Sequence, residues 1–152
     1  MYMREAEIKH SRLAMLAVVG WPLAELWDKP IADAAGLPTL LTKSGESPSL
    51  LNGGLDQIDV AYWVAVVALA GIVELENATM KEEKGKAYIP GDCNFDPLGM
   101  FPQDKASQKE MMTKEIKHGR IAMMAILGFA IQEAVYGIPV VKETPFFFTP
   151  AF

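Results

Sequence analysis

Glu7-Ile8-Lys9-His10-Ser11-Arg12-Leu13-Ala14-Met15-Leu16 returns 108 positions later as Glu115-Ile116-Lys117-His118-Gly119-Arg120-Ile121-Ala122-Met123-Met124, identical at seven of the ten positions. Gly20/Gly128 and Glu25/Glu133 keep the same offset. Both copies are rich in Ala, Met and Leu and lack two-residue alternation, which favours helix over strand. A helix advances about 100° per residue, so Arg12 lies roughly 140° around from Glu7, and Arg120 the same angle from Glu115. Neither arginine stands over its own glutamate. A two-fold relation between the copies instead pairs Glu7 with Arg120 and Glu115 with Arg12. That exchange would neutralise four charges that are individually expensive inside a bilayer.

Outward from the repeat, uncharged runs cover residues 13–24, 60–73 and 121–132, each shorter than the roughly 18 apolar residues of a simple transmembrane helix. Once their terminal charges are neutralised, residues 7–25 and 115–133 each offer 19 positions, or roughly 28 Å of helix at about 1.5 Å per residue. The hydrocarbon core is about 30 Å thick. The expected fold is an all-α membrane protein with three transmembrane helices, over about 4–27, 56–80 and 108–135, in a single domain spanning 1–152. The first and third helices cross, related by the pseudo-two-fold repeat. Pro22 is expected to kink the first. The small residues Ala14, Ala17, Gly20, Gly119, Ala122, Ala125 and Gly128 allow close backbone approach or leave room for flat ligands. Residues 28–56, with Lys43-Ser44-Gly45-Glu46-Ser47-Pro48 and Asn52-Gly53-Gly54, read as a polar loop. The aromatic Phe146-Phe147-Phe148 tail suits a membrane–water interface or a protein groove. No signal or transit pattern is visible, and Met1 leads almost directly into the first helix, so a processed segment ahead of it is expected.

Composition narrows the function. The 14 Lys plus Arg against 19 Asp plus Glu, a net charge of −5, argue against nucleic acid as a partner. The single Cys93 permits neither an internal disulfide nor a cysteine-based zinc site.

The motif also carries ligands. Glu7 and His10 are about 60° apart and roughly 4.5 Å apart along the axis, and Glu115 and His118 repeat the arrangement. A glutamate shared between an arginine and a metal, beside an imidazole, offers two axial donors that Mg²⁺ in a chlorin or iron in a haem accepts. Glu-x-x-His also builds di-iron bundles, but there four carboxylates converge on one centre, whereas here each glutamate has an arginine to match it. Gln132 lies roughly 21 Å deeper than His118, where it could ligate only a separate centre. On the middle span Glu74 closes the longest apolar run and Glu76 lies some 200° away, so Glu74 is taken as the inward ligand. A bis-His haem protein held by His10 and His118 is the alternative from another class. An ion carrier would need a chain of unpaired intramembrane acids.

The doubled Glu-x-x-His-x-Arg helix, Glu74, and Asn94-Phe95-Asp96-Pro97-Leu98-Gly99 ahead of the third helix together resemble the light-harvesting chlorophyll-protein family. The likeness covers nearly the whole chain. Within the family, residues 7–17, Gly20-Trp21-Pro22-Leu23 and His118 are similar to the red-lineage fucoxanthin chlorophyll a/c proteins. The resemblance implies an antenna and not an enzyme. It would sit in the chloroplast thylakoid membrane among thylakoid lipids and neighbouring antenna subunits, passing excitation to a photosystem core, photosystem I ahead of photosystem II. It implies chlorophyll a, chlorophyll c and fucoxanthin, with diadinoxanthin or a related xanthophyll as a further carotenoid. Glu7, His10, Glu74, Glu115, His118 and Gln132 become axial magnesium ligands, with Arg12 and Arg120 as the neutralising partners. The backbone carbonyl of Gly20 becomes a ligand through water, and the turn at Phe95 and Asp96 a cradle for a carotenoid headgroup. Val66 and Phe147 stand where green-plant members carry further polar ligands, and the Phe-Asp-Pro loop expected before the first helix has no counterpart.

Overall fold

The computed structural model describes residues 2–145, and the Phe146-Phe147-Phe148 tail lies outside them. Among the described residues there is no strand. Helices α1 (Tyr2–Ala35), α2 (Val60–Lys84) and α3 (Lys105–Tyr136) are followed by the single turn α4 (Val140–Glu143).

Each helix departs from the expected boundaries for a local reason. α1 runs to Ala35, through Pro22 and Pro30, and not to about 27. It stops where Gly36 turns left-handed at φ 66° and Leu37 N–H donates back to Ala32 O. The start of the expected 28–56 loop is therefore helical. α2 starts at Val60 because residues 55–57 form a separate tight turn and Asp59 Oδ1 caps the Ala61 amide. Its far end reaches Lys84 because Lys81, Glu82, Glu83 and Lys84 are good helix formers, although their polarity ends the apolar pattern at about 80. α3 starts at Lys105, where Asp104 Oδ2 caps the Ser107 amide.

The chain divides into two compact units, one made of the described residues up to Met15 with Ala65–Met123, the other of Leu16–Val64 with the described residues from Met124 onward. In the first, the buried positions of the two repeat copies correspond: Ile8, Ser11 and Ala14 on α1, Ile116, Gly119 and Ala122 on α3. Within this unit the helices approach closely at Ser11 and Gly119, where a Cβ on Gly119 would lie 2.2 Å from Ser11 Cβ. Gly20 and Gly128 do not share that role, since nothing lies within 4 Å of where their side chains would begin.

In the second unit the remaining part of the expected polar loop folds into the core. Thr42, Glu46, Ser47 and Ser49 are buried. Asn52 Nδ2 donates to Ser47 O at 2.8 Å and to Glu133 Oε2 at 3.4 Å, and Trp21 Nε1 donates to Glu133 Oε1 at 2.7 Å. Repeat symmetry ends here: Glu133 takes the Trp21 indole, whereas its counterpart Glu25 takes the Val141 amide at 3.0 Å. The residue matching Trp21 is Phe129, which has no donor.

α2 has the reverse of a soluble core pattern. Its single buried residue is the polar Asn77, while Val60, Val64, Val67, Leu69, Ile72 and Leu75 are exposed. Both α2 and α3 are long and apolar enough to cross a membrane. The uncharged run of α1, residues 13–24, is as long as that of α3, residues 121–132, but it contains Trp21 and Pro22 and is followed within a turn of Glu25 by Asp28 and Lys29, so the α1 span is the less apolar of the two.

Candidate functional site

The crossed pairing is present in the first unit. Arg12 Nε donates to Glu115 Oε1 at 2.7 Å, and Arg120 Nε donates to Glu7 Oε1 at 2.7 Å. Both glutamates retain about a third of their exposure, 29% for Glu7 and 30% for Glu115. Each keeps its second oxygen, Oε2, outside the ion pair, so an anionic donor remains whose charge is already matched. Arg12 does more than its counterpart: Nη1 donates to Gly91 O at 2.7 Å and meets Cys93 Sγ at 3.3 Å.

The histidines repeat as closely. His10 Nδ1 bonds Ala6 O and His118 Nδ1 bonds Lys114 O, each at 2.8 Å. A carbonyl can only accept, so Nδ1 carries the proton in both rings, and in the neutral imidazole the lone pair is left on Nε2. Both rings are exposed. A histidine whose Nδ1–H is fixed to a carbonyl is oriented for metal ligation through Nε2.

Among the described residues no three His, Cys, Asp or Glu side chains gather to hold a metal ion. Donors that stand singly do not build a di-iron centre, which needs several on one ion. A lone donor of this kind would suit a metal that a macrocycle already chelates, supplying the ligand the macrocycle does not. Glu74 is exposed and accepts Lys9 Nζ at 2.6 Å on Oε2. Gln132 is half-buried, and Gly20 is exposed with open space beside it.

At the Phe95–Asp96 turn the carboxylate is consumed by its own loop. Asp96 Oδ1 accepts the Met100 amide at 3.0 Å and Oδ2 the Phe101 amide at 2.8 Å. What the turn presents outward is apolar: Phe95 is 83% and Leu98 79% exposed. The amides of Phe101 and Met100 hold the Asp96 carboxyl below the usual aspartate range. A lowered folded-state pKa means that this contribution to the turn is complete above the unfolded value and is lost as pH falls through the folded one. We expect carbon NMR of the Asp96 carboxyl to titrate below about 3.9; a midpoint at or above that value would contradict the loop geometry.

Two features escaped the sequence reading. Cys93 has no counterpart in the repeat and signals its place beside Arg12 in no way. The acid–base cluster of Glu5, Lys9, Glu74 and Lys81 joins residues up to 76 positions apart, and its one visible signal is Lys9 itself, repeated as Lys117.

The family profile described as chlorophyll A-B binding protein matches residues 1–134. The chain belongs to the chlorophyll a/b-binding protein family. That family is a three-helix membrane fold, and α1, α2 and α3 are its three helices. The chain is 36% identical to a fucoxanthin-chlorophyll a-c binding protein of Isochrysis galbana, over 89% of its own length and 64% of the relative's. A light-harvesting complex stress-related protein of Chlamydomonas reinhardtii is 33% identical over 87% of this chain and 52% of its own. A chlorophyll a-b binding protein of Hordeum vulgare is 35% identical over 88% and 53%. The chain thus spans between about half and two thirds of the length of these relatives.

Proposed function

We propose that residues 1–152 form one light-harvesting domain of the thylakoid membrane, binding chlorophyll a, chlorophyll c and fucoxanthin, with diadinoxanthin or a related xanthophyll as a further carotenoid. The observation that carries this reading is the matched donor set. In both repeat copies a glutamate keeps one oxygen outside its arginine pair, and a histidine keeps Nε2 outside its carbonyl bond. The family and the fucoxanthin-chlorophyll a-c relative support the pigment class.

Glu7, His10, Glu74, Glu115, His118 and Gln132 would hold magnesium axially, and Gly20 O would do so through water. Arg12 and Arg120 cancel the charge of two of these ligands without occupying both carboxylate oxygens. The helices fix ligand spacing, and no bond is made or broken by any side chain. Bound pigments absorb light and pass excitation by resonance transfer. The exposed aliphatic side chains of α2 exclude water from the pigment environment. The exposed Phe95 and Leu98 offer an apolar seat for a carotenoid end, held in shape by Asp96. The proposed acceptor is the photosystem I core, with photosystem II the rival and neighbouring antenna subunits between; co-purification with one core decides.

Pigment chromatography with an absorption spectrum of the detergent-purified protein tests the whole reading. Chlorophylls a and c with fucoxanthin are expected; haem alone, or no pigment, overturns it. For the ligand set, His118→Phe is expected to remove at least one chlorophyll per polypeptide on reconstitution, and unchanged stoichiometry would count against His118 as a ligand.

A further inference from the structure

Of the three glutamates proposed as ligands, two have an arginine built into the repeat, and Glu74 does not. Its own helix supplies no cation: the neighbours one turn away on α2 are Ala70, Gly71, Asn77 and Ala78. The charge is met from α1 instead. Lys9 Nζ donates to Glu74 Oε2 at 2.6 Å and lies 3.6 Å from Glu5 Oε1. Glu5 is buried and has a closer cation of its own, Lys81 Nζ at 2.6 Å from Oε2. Two anions and two cations therefore divide into two short pairs, Glu5 with Lys81 and Glu74 with Lys9. Glu74 Oε1 stands outside its pair, the same division of labour between two carboxylate oxygens that Glu7 and Glu115 show. Repeat symmetry does not account for this, because Lys117, the counterpart of Lys9, is exposed and forms no ion pair among the described residues.

We infer that Lys9 is the positioning residue of the Glu74 pigment site, cancelling and orienting the Glu74 carboxylate so that Oε1 can ligate a chlorophyll magnesium. The inference rests on the reading of Glu74 as a ligand. A carboxylate in an apolar, pigment-covered setting needs a counter-charge, whereas a neutral carboxamide does not. Lys9 is thus required only while the ligand is charged.

The experiment is reconstitution of the full chain with chlorophylls a and c and fucoxanthin, reading chlorophyll per polypeptide and the absorption difference spectrum. Glu74→Leu is expected to remove one chlorophyll, and Lys9→Met the same one, with the same missing band. Lys9→Arg is expected to retain it. In a Glu74→Gln background, Lys9→Met is expected to cause no further loss. If Glu74→Leu leaves the stoichiometry intact, the ligand reading of Glu74 fails and the inference falls with it. If Glu74→Leu removes a chlorophyll while Lys9→Met keeps full stoichiometry and an unchanged spectrum, the ligand stands and the role of Lys9 is overturned. If Lys9→Met lowers all pigments in proportion and Lys9→Arg does not restore the band, Lys9 is structural alone and the inference is likewise overturned.

Discussion

Gly119→Ala is expected to separate α1 from α3 and to cost most of the yield of pigmented protein. The added Cβ would sit 2.2 Å from Ser11 Cβ, 2.5 Å from Ser11 Oγ and 3.0 Å from Ser11 Cα. Rotation of the serine hydroxyl relieves the second of these contacts. The others are fixed to the α1 backbone, which must move. Overpacking usually costs about 1–3 kcal/mol, and a contact that no rotamer can relieve belongs at about 3 kcal/mol, roughly a hundredfold in the folding equilibrium. Movement there also strains both crossed ion pairs, whose 2.7 Å contacts hold the same two helices within the same unit. Thermal loss of visible circular dichroism measures the effect, and a wild-type midpoint for Gly119→Ala would sink it. Adding Ser11→Gly removes the Cβ and Oγ contacts and is expected to recover most of the loss, which distinguishes a steric cause from a general helix effect.

That contact is legible in the sequence in outline. Between the shared His and Arg of the two copies stand Ser11 and Gly119, one of which lacks a Cβ; the sequence offered Gly20 and Gly128 as equal candidates for close approach, and nothing lies within 4 Å of where their side chains would begin. The ion-pair exchange was legible, since 140° of helix rotation keeps each arginine away from its own glutamate. Other features depended on partners distant in the chain. Thr42, Glu46, Ser47 and Ser49 read as a solvated loop because hydropathy treats each residue alone; their burial is compensated by bonds such as Thr42 N–H to Glu46 O and Asn52 Nδ2 to Ser47 O. The extension of α1 to Ala35 was hidden by Pro30, which usually ends a helix yet here lies inside one. Lys9 was visible as a repeated residue, but its partner Glu74 lies 65 positions away on the helix that the repeat does not include. The candidate ligands could be chosen by residue type; their free atoms, Nε2 and Oε2, emerged only with the hydrogen bonds.

Arg12→Leu is expected to be the most damaging of the arginine substitutions, and more so than the same change at its repeat partner Arg120. In Arg12→Leu, Glu115 keeps its charge and loses its counter-ion, and Gly91 O loses the Nη1 donor. Gly91 is itself in the left-handed region at φ 85°, and its backbone rests on the buried Ile8 with no room for a Cβ, which would lie 2.7 Å from Ile8 Cγ2. The substitution thus detaches the loop between α2 and α3 as well as stranding a carboxylate. Removing one member of a buried pair costs about 3–5 kcal/mol; with the Arg12 side chain still 37% exposed, the lower end, about 3 kcal/mol, is expected. For a chain of this size that is a fall of roughly 6–12 °C in melting temperature, together with loss of the chlorophyll proposed for Glu115. Arg120 is 64% exposed and holds Glu7 alone, so Arg120→Leu is expected to remove the Glu7 pigment with a smaller shift in melting. Pigment stoichiometry and melting, measured on both variants, separate the two effects: equal pigment loss with unequal melting follows from a symmetric ligand arrangement on an asymmetric scaffold. Unchanged pigment content and melting in Arg12→Leu would remove the crossed pairs from any role in holding the helices. Equal melting of the two variants would show instead that the Gly91 contact contributes nothing and that the pairing alone sets the stability of the unit.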